Sequence, residues 1–248
     1  MKKAIVIGAT SGIGLEVVKV LAELGWQIGI AGRRQELLAQ ISESIPNVKA
    51  AECIDITEHD ASDKLHSLIE KMGGMDLYFH SSGIGFQNPE LDFDKEVRTV
   101  ETNAVGFTRM VNHVFKYFMK KPEQECHIAV ISSIAGTKGL GAAPAYSASK
   151  RFINHYMECL AQLCAIRGVK NIHLHDIRPG FVRTALLDGG GYYPMQLEAS
   201  AVAKEIVSGI EKDKSIITVD WKYRILVFFW RLIPRWIWVR LKISTKKP

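Results

Sequence analysis

Acidic residues are missing from positions 221–248 of this 248-residue chain, although that stretch holds eight lysines and arginines. The formal charge of +6 therefore comes from one end, and residues 1–220 sum to a slight negative charge. That distribution excludes a nucleic-acid-binding domain, whose cations would spread over one face. Cysteine is scarce: Cys53, Cys126, Cys159 and Cys164 form no CxxC pair and show no metal-ligand spacing, so a disulfide scaffold and a thiolate zinc module are both excluded. They read as reduced structural thiols, with Cys159 and Cys164 in a helix core. No apolar run reaches the twenty or so residues a spanning helix needs. The opening Ala4-Ile5-Val6-Ile7 stops at Gly8, so it reads as a buried first strand and not as a signal peptide, and a cytoplasmic protein is expected. Residues 1–220 contain no repeat, low-complexity segment or Pro/Gly/Ser linker; they read as one domain, followed by a basic aromatic tail at 221–248.

What is present alternates. Short apolar runs predict strands at Ala4–Ile7, Ile28–Ala31, Lys49–Ile54, Leu77–His80, His127–Ser132, Ile172–Ile177 and Ile216–Val219. Segments of helical period lie between them at Leu15–Leu24, Glu36–Ser44, Ala61–Lys71, Lys95–Met119, Ala148–Ile166 and Ser200–Glu211. Strands that are apolar throughout suit a sheet covered on both faces. The fold class is α/β: a doubly wound, mostly parallel sheet of the Rossmann type, with ligands at the carboxyl ends of its strands.

Gly8-Ala9-Thr10-Ser11-Gly12-Ile13-Gly14 follows the first strand and opens a helix. Such a turn lets backbone N–H groups and the helix N-terminus approach a pyrophosphate, and the Thr10 and Ser11 hydroxyls could add to it. Alone it also fits an ordinary βα loop; its place between strand and helix favours the dinucleotide reading. After the second strand, where a protein using NAD would carry an acid, stand Arg33 and Arg34. Two guanidiniums beside a ribose favour a 2′-phosphate, and NADP(H) is the expected cofactor. Asp55, ending the third strand and followed by Ile56, is placed to bond the adenine amino group.

Tyr146 and Lys150 are one helical turn apart on one face. Ser133 ends a buried strand thirteen residues upstream, and Asn103 lies within a long predicted helix. Together with the glycine turn, Asp55, and Arg178-Pro179-Gly180 followed by Val182 and Thr184, these motifs resemble the short-chain dehydrogenase/reductase family over residues 3 to about 212. One departure is His80-Ser81-Ser82-Gly83, where the family usually has Asn-Asn-Ala-Gly. The resemblance implies Tyr146 as the acid that protonates a carbonyl oxygen, Lys150 as the cation lowering its pKa and holding the nicotinamide ribose, and Ser133 as the hydroxyl that fixes the carbonyl. Asn103 would keep a water near Lys150. Gly8, Thr10, Ser11, Gly12, Ile13, Gly14, Arg33, Arg34, Asp55, Ile56, Ser82, Gly83, Pro179, Gly180, Val182 and Thr184 would bind the cofactor. No metal is required. A homodimer or homotetramer through the Lys95–Met119 and Tyr146–Ile166 helices is the family habit.

His173 and His175 alternate on one face of a predicted strand and could make half a metal site, yet no carboxylate pair at suitable spacing accompanies them. In the tail, Arg231 and Arg235 flank Pro234, which is expected to open the second of two short helices. Two readings stay open there: an interfacial anchor on the inner, anionic face of a membrane, or aromatics packed on the domain with cations snorkelling outward. An anchor would imply an amphiphilic or lipid-linked carbonyl substrate, covered by the glycine-rich loop Ala185–Met195. Working as an alcohol dehydrogenase in the oxidative direction, or as a non-catalytic NADP-binding sensor or scaffold, are the alternatives to carbonyl reduction.

Overall fold

The computed structural model describes residues 2–185, 193 and 195–243. The strands are β1 (Lys3–Ile7), β2 (Gln27–Gly32), β3 (Val48–Cys53), β4 (Leu77–His80), β5 (Cys126–Ile131), β6 (Ile172–Arg178), β7 (Val182–Arg183), β8 (Leu197–Glu198) and β9 (Ile216–Thr218). Seven of them form one parallel sheet in the order β3-β2-β1-β4-β5-β6-β9, and β7 pairs with β8 in a separate two-stranded ladder. The chain order reverses between β1 and β4, which opens a crevice at the carboxyl edge of the sheet.

Both faces of the sheet are covered, as the unbroken apolar strands require. Along β1, Ile5 and Ile7 enter one core while Ala4 and Val6 enter the other, the period-two alternation of a pleated strand. Helices α1 (Gly12–Glu23), α2 (Gln35–Ser44) and α7 (Ala199–Glu211) close one face. The other face is closed by α3 (Ala61–Lys71), α5 (Phe107–Met119) and α6 (Pro144–Arg167), with α4 (Phe93–Val100) leading into α5. From α5 alone Phe107, Met110, Val111, Val114, Phe115 and Phe118 are buried, each worth roughly 1.5–3 kcal/mol relative to exposure.

The structure departs from the sequence expectations in three places here. The single helix predicted over Lys95–Met119 is divided by a π-helical turn at Glu101–Gly106, which carries Asn103. Helix α6 begins at Pro144, earlier than the predicted Ala148: proline at the first turn loses no hydrogen bond there. Cys159 is exposed on α6, so only Cys164 of that pair belongs to the core.

Residues 221–243 form α8 (Trp221–Leu232) and α9 (Arg235–Trp238). The Asp220 carboxylate accepts from the Lys222 N–H at 2.8 Å and caps α8. Ile233 is extended before Pro234, which caps α9 instead of occupying its first position. Tyr223 and Val227 are buried against Ile134, Trp230 Nε1 donates to Thr137 Oγ1 at 2.8 Å, and Trp238 Nε1 donates to the Gly139 carbonyl at 2.7 Å. Packing on the domain thus accounts for one face of the tail. Among the described residues no helix is long and apolar enough to cross a membrane.

Candidate active site

A cleft of about 750 Å³ follows the carboxyl edge of the sheet across the β1/β4 switch point. The glycine turn forms its floor. Gly8 has φ +82°, and a Cβ there would lie 2.8 Å from the Ser82 backbone nitrogen, so only glycine lets the turn pass beneath the loop after β4. Ser82 and Gly83 line the cleft beside Gly12 and Ile13.

At one end stand the arginines. Arg34 donates from Nη2 to Thr10 Oγ1 at 2.6 Å and to Ser11 Oγ at 2.8 Å, so the hydroxyls of the turn anchor the guanidinium. Arg33 Nη1 lies 3.7 Å from Asp55 Oδ2, largely exposed. Asp55 Oδ1 accepts from the Thr57 N–H and hydroxyl at 3.0 and 2.8 Å. Burial tends to raise this carboxyl's pKa, but the Thr57 bonds and the Arg33 cation outweigh it, and the net shift is downward. Ile56 completes this end.

At the other end Ser133, Tyr146 and Lys150 converge, with Pro179, Gly180, Val182 and Thr184 along the wall. Burial raises the Tyr146 phenol above its ordinary pKa, and a hydrogen bond with Ser133 draws it down in part. Lys150 is buried, donates from Nζ to the Ile131 carbonyl at 2.9 Å, and sits 5.7 Å from the centre of the Tyr146 ring. Burial lowers its own pKa to about 8, against the pull of Asp176. For Tyr146 burial prevails over the Ser133 hydrogen bond, and the net shift is upward. Asn103 donates from Nδ2 to the Ile84 carbonyl at 2.7 Å and to Ser149 Oγ at 3.0 Å, and its Oδ1 accepts from the Ile84 N–H at 2.9 Å. It pins the loop after β4 to α6; a Cβ on Gly83 would lie 3.2 Å from its Oδ1 and 3.4 Å from Lys150 Nζ. The loop Ala185–Met195 lies mostly outside the described residues; of it, Tyr193 reaches the cleft.

The sequence profile described as short chain dehydrogenase matches residues 2–189. The chain belongs to this family. It is similar to an oxidoreductase of Myxococcus xanthus, with 27% identity over 241 residues that cover 94% of this chain and 93% of the relative. A short chain dehydrogenase/reductase from Burkholderia phymatum in complex with NAD superposes with a TM-score of 0.81 at 20% identity, covering 100% of this chain and 97% of that one. An actinorhodin polyketide ketoreductase with NADPH superposes with a TM-score of 0.76 at 23% identity, covering 88% and 95%. At those identities the two structures speak for the shared fold. As a short-chain dehydrogenase the protein is a nicotinamide-dependent oxidoreductase.

Three parts of this dehydrogenase's site are not apparent in its motifs. The Tyr146 ring lies on the Gly85 backbone, so closely that a Cβ there would stand 2.5 Å from Cδ2 and 2.8 Å from Cε2. Beneath Ser133, the buried Asp176 carboxylate accepts from Ser132 Oγ, from Asn154 Nδ2 at 3.0 Å, and from Arg178 Nε and Nη2 at 2.8 and 2.6 Å. An acid in the middle of a strand, two residues before Arg178, was the available signal for this network. Third, the tail supplies Leu226, Trp230 and Ile243 to the cleft wall.

At the opposite edge of the sheet a histidine cluster corrects the sequence reading. His127 on β5 stacks between His173 and His175 on β6, and His173 Nδ1 lies 2.8 Å from Asp213 Oδ1. Carboxylates do accompany these histidines, brought in by folding from distant positions. Among the described residues, His127, His175 and Asp213 could together hold a metal ion, their donor atoms lying within 4.8 Å of one another. Hydrogen bonds already link them: His127 Nδ1 to His175 Nε2 at 3.0 Å, and His175 Nδ1 to the Lys214 carbonyl at 2.8 Å.

Proposed function

We propose that this short-chain dehydrogenase is an NADPH-dependent carbonyl reductase acting on an amphiphilic or lipid-linked ketone. The observation that carries the reading is the convergence of Ser133, Tyr146 and Lys150 on one wall of the cleft, which sets a phenol beside a hydroxyl and an amine. A proton donor of that kind is matched to an oxygen that gains charge as a carbonyl is reduced.

The residues fit the cofactor. A glycine turn that leaves room above the sheet suits a pyrophosphate, and Arg34, tied to Thr10 and Ser11, offers a fixed guanidinium for a 2′-phosphate, with Arg33, largely exposed and paired to Asp55 at 3.7 Å, beside it. Asp55 would take the adenine amino group, while Pro179, Gly180, Val182 and Thr184 would receive the nicotinamide end. When bound, the cofactor supplies the hydride. Ser133 then holds the carbonyl oxygen against Tyr146, Tyr146 gives up its proton, and the Lys150 ammonium supports the phenolate left behind. Asn103, by fixing the loop against α6, keeps the proton-exchange end of the site in place.

An apolar substrate is supported by the lining of the cleft, to which Leu140, Phe181, Leu226 and Trp230 contribute along with Tyr146. The oligomeric reading, a dimer or tetramer through α4–α5 and α6, is supported by exposed Val105 and Phe152 along those helices.

The test is NADPH consumption over a panel of ketones of increasing chain length, for the wild type and Tyr146→Phe. The variant is expected to lose at least about a hundredfold in turnover while retaining NADPH binding. A near-normal rate in the variant, or no consumption with any ketone, would overturn the reading.

A further inference from the structure

Helix α8 presents two apolar stripes, and only one is covered. At 100° per residue, Tyr223, Leu226, Val227 and Trp230 fall on a single side, the side docked on the domain. Directly opposite lie Trp221, Ile225, Phe228 and Leu232, with Phe229 beside them, all exposed; Phe228 is 62% and Leu232 65% accessible. Beyond the break at Pro234, Trp236 on α9 and Val239 just after it are exposed as well. A helix that is apolar on both sides has a second surface to bury.

The charges around the stripe identify what covers it. Lys222 flanks it on one side and Arg231 on the other; Arg235, Arg240 and Lys242 extend the positive field. Among the described residues none of these five is in an ion pair, and residues 221–243 include no acid to neutralise them. Arg224 differs, since it is held by Glu205 at 2.5 Å and by the Thr218 carbonyl at 2.9 Å. A second copy of the chain would bring the same cations face to face across a two-fold contact. An anionic bilayer complements them, and aromatic rings among cations suit its headgroup level.

We propose that the outer face of α8 and α9 is a docking surface for an anionic lipid bilayer. One helix, about 10 Å across, then separates lipid from the cleft, because the inner side of α8 supplies Leu226 and Trp230 to the wall of the cleft that Tyr146 also lines. Tyr223 fastens this helix to the site: its hydroxyl accepts from the Phe181 N–H at 3.0 Å and donates to the Met195 carbonyl at 3.0 Å. The cleft thus sits where a membrane-dissolved ketone is delivered, a consequence that rests on the carbonyl-reductase reading; the docking surface itself does not.

The test is co-sedimentation of the full chain with phosphatidylcholine vesicles, with and without about one-third phosphatidylglycerol. Phe228→Ser/Leu232→Ser alters the outer stripe and leaves the cleft lining intact. Wild type is expected to bind the anionic vesicles at least roughly tenfold better than pure phosphatidylcholine, to lose most of that binding between about 0.05 and about 0.5 M salt, and to lose about tenfold in the double variant. NADPH binding, measured on the same samples, should be unchanged by the double variant; its absence from both proteins would count against the cofactor reading and leave the lipid result standing. Equal sedimentation with and without phosphatidylglycerol, equal binding by the double variant, or a vesicle-free dimer that the double variant dissociates would overturn the proposal, the last in favour of a second copy.

Discussion

Replacing Gly180 with alanine would place a Cβ closer than 3.0 Å to Cζ and to both Cε atoms of Tyr223. Neither side of that contact yields easily. The turn carrying Gly180 is tied to the domain by the Ile134 N–H donating to the Pro179 carbonyl at 3.1 Å. Tyr223 is wholly buried, and its hydroxyl holds both Phe181 and Met195. Overpacking costs about 1–3 kcal/mol. If the ring swings out, its hydrogen bonds with Phe181 and Met195 go as well, at about 1 kcal/mol each. A total of roughly 3–5 kcal/mol corresponds, at about 2–4 °C per kcal/mol for a chain of this size, to a fall in Tm of about 6–20 °C. Thermal unfolding of Gly180→Ala, Tyr223→Ala and the double variant separates this contact from any general effect of the substitution. With the ring gone, the added methyl has little to strike, so the coupling energy should reach at least about 1 kcal/mol. A Gly180→Ala protein within about 1 °C of wild type, or strictly additive substitutions, would refute the reasoning that Tyr223 seats the tail on this turn.

Gly85→Ala should push the Tyr146 ring out of line and lower kcat by on the order of a hundredfold while the protein stays folded, as steady-state rates and circular dichroism would show. Asp176→Ala strands the Arg178 cation together with Ser132 and Asn154, and urea unfolding should register a loss of about 3–5 kcal/mol. Burial and the Lys150 cation hold His80 neutral down to about pH 3, and burial with the His175 and His173 rings holds His127 neutral down to about pH 4. Unfolded histidine takes up its proton near pH 6.5, so the unfolded state binds more protons below that point and stability falls as the pH drops from 6.5 toward 3. His173 works the other way: burial lowers its pKa, but Glu125 and Asp213 outweigh that, and its contribution is complete below 6.5 and lost as pH rises through its raised value. The urea midpoint should therefore be lower at pH 4.5 than at pH 7, with His80 contributing about 2–3 kcal/mol; an unchanged midpoint would contradict its neutral burial.

The parts of the fold visible in the sequence are those written locally. The central strands β1, β4 and β5 are almost wholly apolar because both faces are covered, and the glycine turn, Ser133 and the Tyr146–Lys150 pair announce themselves at short spacing. The π turn at Asn103 left no mark, since one extra residue in a helical turn barely disturbs a hydrophobic period averaged over a long helix. Gly85 under Tyr146 and Gly180 under Tyr223 are contacts across 61 and 43 positions, visible only once the chain has folded. The same holds for the histidine stack, in which His127 joins His173 through the β5–β6 register. The tail was ambiguous for a physical reason: α8 carries an inward stripe and an outward stripe, so composition alone fitted both packing and a lipid surface.

The central claim is tested most directly by titrating the full chain with NADPH and with NADH, following cofactor fluorescence, and repeating both with Arg33→Ala/Arg34→Ala. The account predicts that wild type binds NADPH at least about tenfold more tightly than NADH, and that the double variant loses this preference with the 2′-phosphate contacts. Equal affinity for the two cofactors in wild type, or a preference that survives loss of both arginines, would contradict it.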